Sequence, residues 1–161
     1  MKPHFAFVPL TPALLFQVLA TCATEAANTP TAYAVMQSAA HRALEAPADW
    51  SGVMLAGRRP IMAAGVWPLW PGRAEAWLVA VDGIDMRERL AGLEAVRERL
   101  DQLQARHPEL RRIEMWTAAD APGAASFAGR LGMRIEGVAR HWAPDGADYA
   151  LCSRIAGEAT A

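Results

Sequence analysis

From Asp85 to His107 an aliphatic side chain recurs every third or fourth position: Met86, Leu90, Leu93, Val96, Leu100 and Leu103. That spacing places all six on one stripe of a long α-helix, with Arg87, Glu88, Arg97, Glu98, Asp101 and Arg106 facing away from the stripe or flanking it. Asp85 ahead of the first turn, with Glu88 three residues on, comes close to a capping box, and Pro108 ends the helix. A helix with one apolar face needs an apolar surface to lie on, and the rest of the chain supplies strands.

Ahead of the long helix the sequence predicts a strand Phe5 to Val8, helices near Pro12 to Ala23 and Thr31 to Leu44, then strands Trp50 to Ala56, Ile61 to Trp67 and Ala74 to Val81. The second helix presents Tyr33, Met36, Ala40 and Leu44 at helical spacing. Gly57-Arg58-Arg59-Pro60 and Pro71-Gly72 are the connections that make the three strands successive antiparallel neighbours. After the long helix come a strand Arg112 to Thr117, a helix Ala121 to Leu131 stopped by Gly132, a strand Met133 to His141, a turn Ala143-Pro144-Asp145-Gly146 and a closing strand Ala147 to Ile155, with a frayed tail beyond. Strand, helix, strand over residues 74 to 117 is a right-handed crossover between parallel neighbours, so the sheet is mixed and mostly antiparallel, flanked by helices.

The 161 residues suffice for one domain with its own core, and 53% hydrophobic against 20% charged residues excludes a disordered chain. Sixteen basic and seventeen acidic side chains give a net charge of −1, which offers no global field for nucleic acid or an anionic membrane. Phe5 to Ala20 followed by Ala20-Thr21-Cys22-Ala23 superficially resembles a signal peptide, but Pro9 and Pro12 interrupt the apolar stretch and the expectation is a strand, turn and helix that stay attached. Cys22 and Cys152 have no metal-ligand spacing and read as buried free thiols of a cytoplasmic protein.

The order of elements, with Ala124, Phe127, Leu131-Gly132-Met133, Glu136-Gly137, Arg140 and Asp148 to Leu151, resembles the GNAT family of acyl-CoA N-acyltransferases over essentially the whole chain. A second resemblance is to GNAT-like internal virion proteins of short-tailed phages, in which a Trp-Leu strand also runs into an aspartate and a long helix, as Trp77-Leu78 runs to Asp82 here. The first resemblance implies acetyl-CoA or another acyl-CoA as co-substrate and a small-molecule or peptide amine as acceptor. The second implies a non-catalytic phage or prophage protein, virion-associated, that keeps the fold as a binding module. A homodimer or a phage protein partner stays open, and no metal is expected.

In the family a glycine-rich loop before the long helix holds the diphosphate of the co-substrate; small residues admit the backbone and helix amides point at the anion. The stretch that matches is Arg87-Glu88-Arg89-Leu90-Ala91-Gly92, with Leu90 at the central glycine. The resemblance therefore assigns co-substrate binding to Val79, Val81, Gly83, Arg87, Arg89, Gly92 and Phe127. Asp82, Asp85 and Glu88 set three negative charges against Arg87 and Arg89 there, and the Asp85 carboxylate competes for helix amides.

Amine attack on a thioester needs a base for the amine proton and an acid for the thiolate. Glu75, on a strand face with Trp77, Val79 and Val81, is the base candidate by the resemblance. The family's tyrosine acid falls on Ala128, which leaves Ser126 as the substitute donor and Tyr149 as a group reaching in from the last strand. None of the four histidines forms a catalytic constellation, and no serine has nucleophile-elbow glycines. Trp67-Pro68-Leu69-Trp70-Pro71 reads as a stiff apolar connection that covers the sheet, walls an acceptor pocket or meets a partner.

Overall fold

A computed structural model of the chain describes residues 4–21, 41–121 and 123–158. The strands are β1 (Phe5–Pro9), β2 (Ser51–Ala56), β3 (Arg59–Trp70), β4 (Arg73–Ala80), β5 (Arg112–Ala118), β6 (Arg134–Ala139) and β7 (Tyr149–Ile155). The helices are α1 (Pro12–Thr21), α2 (Met86–Arg106) and α3 (Ala124–Arg130), and residues 41–45 are helical as well. Tyr33, Met36, Ala40 and Cys22 lie outside the described residues, and Leu44 is exposed rather than buried. The strands form one sheet in the order β1-β2-β3-β4-β5-β7-β6, in which β4 and β5 run parallel while β1–β2, β2–β3, β5–β7 and β6–β7 are antiparallel. The chain falls into two compact units, residues 1–67 with 77–96 and residues 68–76 with 97–161, so that β3, β4 and α2 each contribute to both.

In the first unit β2 and β3 turn at Gly57-Arg58, with Gly57 at φ 64° and its N–H donated to the His4 carbonyl at 2.8 Å. This turn is tighter than the predicted Gly57–Pro60 connection, because Arg59 and Pro60 already pair with Ala56 and Leu55. Pro60 enters the strand beside a register shift at Met54/Leu55, the kind of site where a missing amide hydrogen is tolerated. The strand also runs on through Pro68 to Trp70, so the predicted tryptophan-proline connection is strand up to Trp70 and turns only at Pro71. Trp67 is buried and stacks on Trp77, with ring centroids 6.2 Å apart and planes within 11°. Val81 donates its N–H to the Ile61 carbonyl at 3.0 Å, which ties the end of β4 to β3.

Helix α2 starts where the sequence places it. The Glu88 N–H donates to Asp85 Oδ1 at 2.7 Å and the Asp85 N–H to Glu88 Oε2 at 3.2 Å, a complete capping box. Leu93, Val96, Leu100 and Leu103 are buried as the stripe requires, whereas Met86 is 65% and Leu90 39% exposed. The first turn of the stripe therefore overhangs the core.

In the second unit β7 inserts between β5 and β6, and β6 forms the sheet edge with most of its residues exposed. Helix α3 is shorter than predicted and starts after Gly123, at φ 83°. It ends as the sequence indicates: Gly132 takes φ 73°, its N–H donates to the Gly129 carbonyl at 2.9 Å, and the Met133 N–H donates to the Ala128 carbonyl at 2.9 Å. This double closure satisfies two terminal carbonyls and turns Met133 into the core.

Candidate functional site

The residues assigned to co-substrate binding fall mostly in the first unit. Val79 is half-buried on β4 and Val81 is buried just beyond its end. Gly83, at φ 70°, has open space where a Cβ would stand. Arg87 and Arg89 are exposed in the first turn of α2, and the Arg87 guanidinium lies 5.9 Å from the centre of the Phe5 ring.

Gly92 has a different surrounding from that of a phosphate loop. It is buried in the body of the helix, and a Cβ there would come within 2.8 Å of Met62 Cε and 3.0 Å of Met62 Sδ. Its smallness lets α2 approach β3.

The charge pattern at the helix start also differs from the sequence tally. Glu88 is only 8% exposed and is met by Arg59 from the β2–β3 hairpin, Nη2 to Oε1 at 2.5 Å. That pairing removes one of the three negative charges from the balance and leaves Asp82 and Asp85 against Arg87 and Arg89. Asp85 occupies the Glu88 amide, so Met86 and Arg87 hold the first-turn N–H groups outside the cap. The groups that could meet a diphosphate here are the Met86 and Arg87 amides, the exposed Arg87 and Arg89 side chains and the open glycine at position 83, without the family's glycine loop.

The second unit carries the proton-handling candidates. β4 and β5 pair over three residues, Arg73 with Arg112, Ala74 with Ile113 and Glu75 with Glu114, so Glu75 stands on the last rung. It is half-buried and shares a face with Glu114. Ser126 is exposed on α3, Phe127 is half-buried, and Ala128 is buried where the family has its tyrosine. Tyr149 is tilted against Trp142 with ring centroids 4.9 Å apart, and Trp142 stacks on Trp116 at 5.0 Å.

Sequence reasoning missed the charged ladder on that face. Glu114, 3% exposed, accepts two hydrogen bonds from Arg73, one of them from Nε at 2.8 Å, and another from Arg112 Nε at 2.8 Å. Arg112 also grips Glu136 with both terminal nitrogens, at 2.7 and 2.5 Å, and the Ser153 hydroxyl donates to Glu136 at 2.5 Å. Burial pushes the Glu114 carboxyl up, but Arg73 and Arg112 outweigh it and hold the group below its ordinary value. Glu136 is brought down to about 2 by Arg112 and then by Ser153. The sequence signal was there in part, since Arg73/Glu75 and Arg112/Glu114 alternate at the period of a strand face. Glu136 was singled out only as part of a motif, and its role is to be the bulged residue between Ile135 and Gly137 that Arg112 reaches.

Cys152 is a buried free thiol whose pKa is raised by burial and then by the Glu136 charge. Among the described residues no cluster of histidine, cysteine or carboxylate side chains could hold a metal ion, and no helix is long and apolar enough to cross a membrane.

No protein-family profile matches the chain, and no curated protein matches it by sequence. Solved structures do match its fold along nearly the full length. A GNAT-family acetyltransferase from Bacillus anthracis superposes with a TM-score of 0.72 at 12% identity, over 98% of this chain and 99% of its own. The ribosomal-protein-alanine N-acetyltransferase from Brucella melitensis gives 0.67 at 14% identity, over 93% and 99%. A chain of the NatC complex bound to Gag peptide and CoA gives 0.70 at 12% identity, over 94% and 98%. At these identities the likeness shows the fold, that of the acyl-CoA N-acyltransferases. The resemblance to phage proteins gains no support from these neighbours.

Proposed function

We propose that this chain is an acyl-CoA-dependent N-acyltransferase that transfers an acetyl or similar acyl group to an amine. The observation that carries the reading is Glu75 on the last rung of the short parallel β4–β5 ladder, within a fold shared along its length with N-acetyltransferases. The co-substrate supplies an acyl thioester. Arg87 and Arg89, with the amides of Met86 and Arg87, hold its diphosphate, and Gly83 leaves room for close approach.

Glu75 takes the proton that the amine loses as its nitrogen bonds to the acyl carbon and the carbon–sulfur bond breaks. The Ser126 hydroxyl donates a hydrogen bond to the departing sulfur; the thiolate takes a proton from solvent to finish as a thiol, Glu75 returns its proton to solvent, and the amine finishes as an amide. The acceptor is a small-molecule or peptide amine, and two of the structural neighbours are acetyltransferases of ribosomal-protein alanine.

The test is direct. Acetyl-CoA at 100 times its Kd should stabilise the protein by about 2.7 kcal/mol in thermal shift. Glu75→Gln should lower turnover against an amine panel by about 10²- to 10⁴-fold while leaving acetyl-CoA binding intact. Absence of any stabilisation at millimolar acetyl-CoA overturns the enzyme reading and leaves a binding module on the same fold.

A further inference from the structure

We infer that Arg73 is a positioning residue for Glu75, acting through Glu114; this deepens the acyltransferase reading and rests on it. Arg73 and Glu75 share one face of β4, opposite Arg112 and Glu114 of β5. The two-pronged bond from Arg73 to Glu114 therefore runs diagonally, from the first rung of the ladder to the third. Three parallel pairs are a short ladder, and a slip by one residue would carry Glu75 to the opposite face of the sheet. The diagonal bond braces against that slip at the rung where Glu75 stands.

The brace is itself held on both sides. The Arg73 guanidinium lies 4.2 Å from the centre of the Trp70 ring, so its face is covered by the β3–β4 hairpin while its edge grips Glu114. Beyond Glu114 the ladder continues through Arg112 and Glu136 to Ser153, which links β4, β5, β6 and β7 by side chains alone. Glu114 is buried, so losing the Arg73 fork leaves its carboxylate held by Arg112 alone, and it shifts toward that remaining partner. That movement is passed to its register neighbour, Glu75.

The experiment compares Arg73→Met and Arg73→Lys with the parent protein in acetyl-CoA turnover and in amide hydrogen exchange. For Arg73→Met, kcat should fall about tenfold or more with the acetyl-CoA KM changed less than about twofold, and exchange at Glu75 and Glu114 should quicken about tenfold. Arg73→Lys, which keeps the charge and loses the fork, should restore part of kcat. If Arg73→Met lowers the melting temperature alone and leaves kcat unchanged, the inference is overturned.

Should Arg73→Met fail to fold, Trp70→Leu removes the ring beneath the guanidinium and should lower kcat in the same direction by a smaller factor. An unchanged kcat in that variant counts against the inference. If the parent protein turns over no amine, the acyltransferase reading fails by itself. Hydrogen exchange then decides separately whether Arg73 braces the rung, and unchanged protection at Glu75 in Arg73→Met overturns it.

Discussion

A methyl group at position 65 would lie 2.1 Å from Ser51 Oγ and 2.7 Å from Ser51 Cα, which is backbone of the paired strand. Backbone cannot give way, so Gly65→Ala should cost about 2–3 kcal/mol in urea unfolding. Gly92 meets only the tip of Met62, a flexible thioether, and alanine there gains about 1 kcal/mol of helix propensity. Gly92→Ala should therefore stay within about 1 kcal/mol of the parent and leave acetyl-CoA affinity unchanged, as measured by urea unfolding and calorimetry. A loss of affinity without loss of stability would restore Gly92 to a binding role. The spacing of a motif finds such a glycine and cannot name what it touches: Met62 and Arg59 reach the long helix from the hairpin of another element. For the same reason Glu88 read as one more negative charge, and the structure shows it buried and paired.

At the scale of elements, legibility followed the range of the signal. Helix α2 runs from Met86 to Arg106 because Asp85 and Pro108 act within a turn of their own positions. Gly132 ends α3 by the same local logic. β3 runs longer than its sequence pattern indicates because its prolines look like breaks, whereas Pro60 pairs with Leu55 and the strand continues through Pro68 to Trp70. The cap also separates stability from charge. Asp85→Ala should cost about 1 kcal/mol, because it orphans the Glu88 amide. Asp85→Asn keeps an acceptor of equal capping strength and removes a negative charge beside Arg87 and Arg89, so stability should stay within about 0.5 kcal/mol. If the diphosphate lies there, acetyl-CoA affinity should rise about two- to threefold in calorimetry at low salt and lose that gain at high salt. Equal affinity for Asp85→Asn and the parent at low salt would move the anion elsewhere.

For the whole molecule, the sequence carried the element order of the described residues and the mixed sheet, since strand and helix periods and the crossover rule depend on residues near one another. It did not carry the insertion of β7 between β5 and β6, nor the side-chain ladder that this order creates by bringing Ser153 and Glu136 to Arg112. The ladder makes stability depend on pH in a stated direction. Glu136 sits at about 2 and Glu114 below its ordinary 4.5, so the folded chain holds protons on both less readily than the unfolded chain does. Their contribution is therefore fully present above about pH 4.5 and is lost as pH falls toward about 2. The urea midpoint should be nearly level from about pH 7 to about pH 5 and fall below that. Glu136 is 40% exposed, which keeps its share modest, whereas Glu114 lies buried between two guanidiniums. Glu136→Gln should start lower at neutral pH and decline less steeply on acidification, because it no longer has that proton to bind on unfolding. Parallel curves for the parent and Glu136→Gln would mean that the acid sensitivity comes from carboxylates outside the ladder.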